Sequence, residues 1–203
     1  MKLLKIIVLL FFPFSLFAQD SLRYNDGKLK GVGALDKGKK QGHWVLYYPN
    51  GEKNAIENYN EKGQLDGEVI YYNTEGKRIG EELWNADLLI DSAFYYHNNG
   101  QVEKKGKYEK GQYAGVWKFY YPNGQLKRAV SYVNGWPEGD WKVYNETGVL
   151  IQQGAYEEGK ETGEWKFYDD KGRLEFIGNY EKGERVGTWY QISPKGKKKE
   201  VKY

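Results

Sequence analysis

One glycine recurs through this chain at nearly constant spacing, and that spacing decides what the chain can fold into. Gly27, Gly51, Gly76, Gly100, Gly124, Gly148, Gly172 and Gly196 stand 24 residues apart except for one step of 25. Seven residues before them come Trp44, Trp117, Trp141, Trp165 and Trp189, with Val69 and Ala93 in two more worn units. Four residues before them come Tyr47, Tyr72, Tyr96, Tyr120, Tyr144 and Tyr168. Eight residues after them comes a further aromatic, at Tyr59, Trp84, Tyr108, Tyr132, Tyr156 and Tyr180. A period between about 20 and 50 residues marks a repeat array, in which each unit buries its apolar side by stacking on its neighbours.

The unit itself reads as a β-hairpin. Gly115 to Tyr121 alternates aromatic and polar residues, Pro122-Asn123-Gly124 turns, Gln125 to Tyr132 returns, and Asn134-Gly135 turns again. Asn-Gly is expected to close each hairpin in two residues with both φ angles positive. The expectation is an all-β fold: an elongated, twisted antiparallel β-meander of tandem 24-residue hairpins. The units are placed at about 22–41, 42–66, 67–90, 91–114, 115–138, 139–162, 163–186 and 187–203, within a single repeat domain over 19–203.

The strand period of two assigns faces. Trp117 and Phe119 point one way, as do Trp141 with Val143 and Trp165 with Phe167. Leu126, Leu150 and Leu174 are expected on the same side. So are Gly106, Gly154 and Gly178, whose missing side chains leave room for a tryptophan ring. This side is read as the core. The other side carries Lys118, Lys142 and Lys166 in one row and the six tyrosines in another, with lysine stems lying over tyrosine rings. Two departures from the repeat stand out as individual surface features: Leu88 to Ile90 and Trp136-Pro137, both assigned to connecting turns.

Residues 1–18 have the outline of a secretory signal peptide: Lys2 and Lys5, an apolar run from Ile6 to Phe17, and Ala18 before the cut. The run falls short of the ~20 apolar residues of a membrane span. The protein is therefore expected to be exported, to the periplasm or outside the cell. Without Lys2 and Lys5 the charge balance is 29 basic to 28 acidic residues, which argues against a nucleic-acid partner. The chain has no cysteine and so no disulfide framework.

The pattern G-x-W-x-[FV]-Y-x-x-x-G followed by Y-x-x-G-x-x-x-G, from about Leu22 to Gly196, resembles the MORN repeat in its longer bacterial variant, typical of the YwqK-type antitoxin family. The resemblance implies a protein-interaction surface and, in some arrays, contact with phospholipid. It also implies that any catalytic domain would be a separate segment.

The residues themselves offer little chemistry. There are two histidines, His43 and His97, in separate hairpins, and both fall where other units have Glu, Asn or Asp. No metal site and no cofactor is expected from them. Asp140, Glu164, Asp169 and Asp170 are the carboxylates from which a glycosidase pair could be drawn. Their repeat and turn positions read instead as solvated. The expectation is a non-catalytic, exported scaffold that binds a protein partner, with antitoxin-like neutralisation as one form. Its candidate surface is Tyr47, Tyr72, Tyr96, Tyr120, Tyr144, Tyr168, Trp136, Lys118, Lys142 and Lys166. The alternatives are a lipid or polysaccharide surface, aided by the basic stretch Lys195 to Lys202, and an envelope hydrolase built on Glu164.

Overall fold

In the computed structural model, residues 19–202 are described; the leader expected over 1–18 lies outside them. Sixteen strands form one sheet in strict sequence order, each antiparallel to the next. They are β1 (Asp20–Arg23), β2 (Leu29–Asp36), β3 (Lys39–Tyr47), β4 (Lys53–Tyr59), β5 (Gly67–Tyr72), β6 (Arg78–Asn85), β7 (Leu88–Tyr96) and β8 (Val102–Glu109), followed by β9 (Gln112–Tyr120), β10 (Leu126–Val133), β11 (Trp136–Tyr144), β12 (Leu150–Glu157), β13 (Lys160–Tyr168), β14 (Leu174–Glu181), β15 (Glu184–Ile192) and β16 (Lys198–Val201). The all-β meander expected from the period is the fold observed.

The two edges of the sheet use different turns, except that the β4–β5 connection, Asn60 to Gln64, has the form of the opposite edge. At Asn123-Gly124 the loop is a residue longer than expected. Tyr121 N–H donates to the Gln125 carbonyl and Gly124 N–H to the Tyr121 carbonyl, both at 2.9 Å, and of the turn residues Gly124 alone has positive φ (83°). Pro122 fixes the negative φ of a type I turn, which excludes the two-residue form. The Asn123 side chain accepts from Gln125 N–H at 3.0 Å and locks the turn. The expected two-residue form is found at the opposite edge, where Asn134 and Gly135 have φ of 50° and 80°. There Ala86 and Asp87 hold the same conformation without glycine.

These tight turns move two sequence features out of the loops. Leu88 to Ile90 opens β7 and Trp136-Pro137 opens β11, so both are strand residues rather than turn residues. The C-terminal basic stretch is likewise part of the sheet, since Lys198 and Lys199 pair with Ile192 and Gln191.

Beside the type I turn, every hairpin from β1–β2 to β13–β14 also shifts register, whereas β15–β16 does not. A one-residue shift exchanges the faces of everything beyond it. Leu126, Leu150 and Leu174 therefore pair with Tyr120, Tyr144 and Tyr168 and lie on the tyrosine side, not in the tryptophan core. The glycines behave as expected. A methyl group added to Gly106, Gly154 or Gly178 would fall 2.2–2.3 Å from the rings of Trp117, Trp165 and Trp189, and Gly33 stands in the same relation to Trp44. These four indoles are buried, and Trp117 is enclosed by Tyr113, stacked at 4.0 Å, and Tyr108, edge-on at 5.0 Å. A single-layer sheet thus builds its core by laying each ring back over the preceding strand.

Candidate binding surfaces

Cross-strand partners share a face, so the register defines rows running along the array. Lys105, Lys118, Ala129, Lys142, Gln153 and Lys166 are successive partners from β8 to β13. Continued toward β2, the same row becomes Phe94, Glu81, Ile70, Ile56, Val45 and Val32. One face is therefore basic in its second half and apolar in its first. The lysines were legible in the sequence and the apolar half was not, because Val32, Val45, Ile56 and Ile70 fill positions that lysine, alanine or glutamine hold in the later units.

The tyrosine row lies on this same face, as expected, but it is not an exposed platform. Tyr47, Tyr72, Tyr96, Tyr120, Tyr144 and Tyr168 are all half-buried. Their opposite partners on the same face are Lys53, Arg78, Val102, Leu126, Leu150 and Leu174. Tyr96 donates to Glu81, and burial with that carboxylate beside it pushes its hydroxyl up to about 12. The cation over the Tyr120 ring is Lys105, 5.7 Å from its centroid, rather than Lys118. Lys166 pairs with Glu164 at 2.5 Å, and the hydrogen bond to that carboxylate raises its ammonium pKa.

Trp136 is the most exposed large apolar side chain among the described residues, at 63%. One side of its ring lies on the next tight turn, where a methyl group added to Gly159 would sit 2.6 Å away. Its cross-strand partner is Val133, 55% exposed, and Val116 on the adjoining strand is 54% exposed. Val116 pairs with Ser131, two residues before Val133, so the three side chains share the tyrosine face near the tight-turn edge. Sequence reasoning had Trp136 but not the valines, which occupy ordinary strand positions.

The tryptophan face holds a second set of residues that the repeat pattern hides. Glu57 and Glu82 stand where other units have the ring-covering glycine, and Val69 and Ala93 then stand where those units have tryptophan. Glu57 accepts from Lys40 Nζ at 3.0 Å and from the Tyr59 hydroxyl at 2.6 Å. Glu82 accepts from the Tyr95 hydroxyl at 2.5 Å and the Trp84 indole at 3.1 Å, and Tyr108 lies 3.1 Å from Tyr95 through their hydroxyls. Burial first, and the adjoining carboxylates second, push the Tyr59, Tyr71 and Tyr95 hydroxyls well above their ordinary range, and burial does the same at Tyr108 against the opposing hydrogen bond with Tyr95. Both carboxylates are thus partnered within the sheet, the condition under which burial is tolerated.

The remaining sequence candidates are dispersed. His97 Nε2 meets the Tyr120 carbonyl at 3.0 Å, in the place where the Tyr48 and Tyr121 hydroxyls reach the Tyr72 and Tyr144 carbonyls. His43 is exposed and pairs with Asn58. Asp169 accepts from Arg173 and Lys171 within its own turn, which lowers its carboxyl pKa. Asp140, Glu164 and Asp170 are exposed. Among the described residues no three His, Asp or Glu side chains gather as a metal ion would require.

The fold and its surfaces define a tandem β-hairpin repeat protein. Four of its segments, 40–61, 114–134, 137–158 and 161–182, match the MORN repeat variant. No curated protein matches the chain. Among solved structures it is similar to a GtfA/B complex bound to UDP and GlcNAc, at 18% identity over 64% of this chain and 26% of that one, with a TM-score of 0.22. It is also similar to TcdB2-TccC3-TEV, at 13% identity over 89% of this chain and 12% of that one, with a TM-score of 0.25. The chain spans about a quarter or less of the length of either.

Proposed function

We propose that this chain is a non-catalytic, exported binding scaffold that captures a protein partner on the tyrosine face. The observation that carries this reading is the exposed cluster of Trp136, Val133 and Val116. It is a rigid apolar patch beside a basic row, of the kind that interfaces desolvate first. The tyrosines and Lys118, Lys142 and Lys166 frame the contact rather than supply its centre. The matches to the MORN repeat variant support the reading, and the YwqK-type resemblance extends it to antitoxin-like neutralisation, in which the array covers the working surface of its partner. No cofactor is part of this reading. Replacing Trp136 with alanine, and Val133 and Val116 with threonine, should change stability by less than about 2 kcal/mol, since exposed positions contribute little. The same variant should lose the partner that the mature chain captures from an envelope extract. Undiminished capture by a folded variant would remove the patch from the function.

A second reading, an anionic lipid or glycan surface, rests on the row Lys105, Lys118, Lys142 and Lys166. Attraction of that kind weakens as salt shortens the screening length. Salt-sensitive cosedimentation with anionic vesicles supports it, and salt-independent or absent binding dismisses it.

A further inference from the structure

Four Asn-Gly pairs stand at the turns of this sheet: Asn50-Gly51, Asn99-Gly100, Asn123-Gly124 and Asn134-Gly135. The dipeptide is chemically labile, because the nitrogen of a glycine, with no side chain beside it, can reach the carboxamide carbon of the residue before. The fold treats three of these pairs alike and the fourth differently.

At the three type I turns both ends of the carboxamide are held. The Asn50, Asn99 and Asn123 oxygens accept from the Glu52, Gln101 and Gln125 N–H groups at 3.1, 3.1 and 3.0 Å. Their Nδ2 groups donate to the Thr74, Pro122 and Glu146 carbonyls of the next turn at 2.8, 2.6 and 2.8 Å. The glycine N–H closes each turn on the Tyr48, His97 or Tyr121 carbonyl at 2.8–2.9 Å. Each of these asparagines must therefore give up three hydrogen bonds before its ring can close.

Asn134 lies in the two-residue turn between β10 and β11. It is exposed, and its carboxamide hydrogen-bonds to no other group among the described residues. The Gly135 N–H is engaged on the Tyr113 carbonyl at 3.1 Å, the longest such bond of the four pairs. Nor does the turn need asparagine. Lys37, Lys110, Glu158 and Lys182 hold the same conformation in their own hairpins, with φ of 48–52°.

We infer that Asn134 is a site of spontaneous deamidation, with water as the co-reactant. Base takes the Gly135 N–H proton, the nitrogen bonds to Asn134 Cγ, and the Cγ–Nδ2 bond breaks to release ammonia. Water then adds to either carbonyl of the cyclic imide. Opening the new N–Cγ bond gives aspartate, and opening the original peptide bond gives isoaspartate, whose main chain runs through Cβ. Either product sets a carboxylate beside the Val133–Trp136 pair, and isoaspartate lengthens the turn that holds this pair. That deamidation lowers partner capture rests on the reading of this cluster given above; the modification itself does not.

The test is peptide mapping by mass spectrometry on the whole mature chain, held at pH about 8, below the range in which tyrosines ionise. The expected result is a gain of about 1 Da in the peptide that contains Asn134, from amide replaced by carboxylate. It should accumulate about tenfold faster than at Asn50, Asn99 or Asn123, because the two additional hydrogen bonds at those sites each slow the reaction by a factor of a few. In denaturant that advantage should vanish. Asn134→Lys, which places at this turn the residue type of Lys110 and Lys182, should remove the gain and leave the sheet circular dichroism unchanged. The proposal is overturned by a rate at Asn123 equal to that at Asn134 in the folded chain, by no gain at Asn134, or by a gain that persists in Asn134→Lys. Capture by the aged chain is read separately: undiminished capture by a chain fully converted at Asn134 would count against the patch and leave the modification standing.

Discussion

Replacing Gly106 with alanine is expected to destabilise the β8–β9 pair by about 2–3 kcal/mol, although the same change at an unobstructed strand glycine stabilises by about 0.5–1 kcal/mol. The added methyl group would meet the Trp117 ring at 2.3 Å, more than an ångström inside ordinary contact. The indole cannot retreat cheaply. It stacks on Tyr113 at 4.0 Å and donates to the Lys107 carbonyl at 2.9 Å. Trp117→Ala alone should cost about 3–5 kcal/mol, the usual range for emptying such a site. In that background Gly106→Ala should change sign and become neutral or stabilising, which makes the double-mutant cycle strongly coupled. Amide exchange of β8 and β9 is the suitable readout, because repeat arrays can open locally. Additive effects would show that the glycine is not there for the ring.

The chain already contains one version of this experiment. At β10 the glycine position is filled by Val130, which is buried, and the facing Trp141 is no longer fully enclosed. Its indole donates to the Gln152 side chain at 3.2 Å instead of to a backbone carbonyl. Where glycine becomes Glu57 or Glu82, the tryptophan itself gives way to Val69 or Ala93. Glycine and tryptophan behave as one packing element, and either is costly without the other.

This pairing was legible in the sequence, because Gly106, Gly154 and Gly178 recur in step with the tryptophans that cover them. The period fixed the meander for the same reason: repetition reports nearest-neighbour stacking directly. The faces beyond a bulge were not legible. A bulge leaves the spacing of residues untouched while exchanging their sides, and that is how Leu126, Leu150 and Leu174 came to lie with the tyrosines. Exposure was not legible either. It depends on what the next hairpin lays across a ring, and so the tyrosines are covered while Trp136, seated on a turn at the sheet edge, is not.

Alkaline pH is expected to unfold this sheet steeply, and the tyrosines are the reason. In the folded chain the Tyr96 and Tyr156 hydroxyls are pushed to about 12, in both cases by burial first and a neighbouring carboxylate second. Tyr59, Tyr71, Tyr95 and Tyr108 are pushed higher still. A free tyrosine ionises near about 10, so above that pH the unfolded chain sheds protons that the folded chain keeps. The stability these groups contribute is complete below about pH 10 and drains away as pH rises toward and through the folded values. The limiting slope is about 1.4 kcal/mol per pH unit for each tyrosine protonated only in the fold, less where solvent screens the ring. Several such groups acting together amount to a large loss over one or two pH units. Tyrosinate absorbance and sheet circular dichroism should therefore change together, in a single transition above pH 10. Tyr156→Phe should leave stability near pH 8 almost unchanged and flatten the alkaline limb, since phenylalanine has no proton to lose. Tyrosines that ionise smoothly near pH 10 with the sheet signal intact would mean that their hydroxyls are not held by the fold.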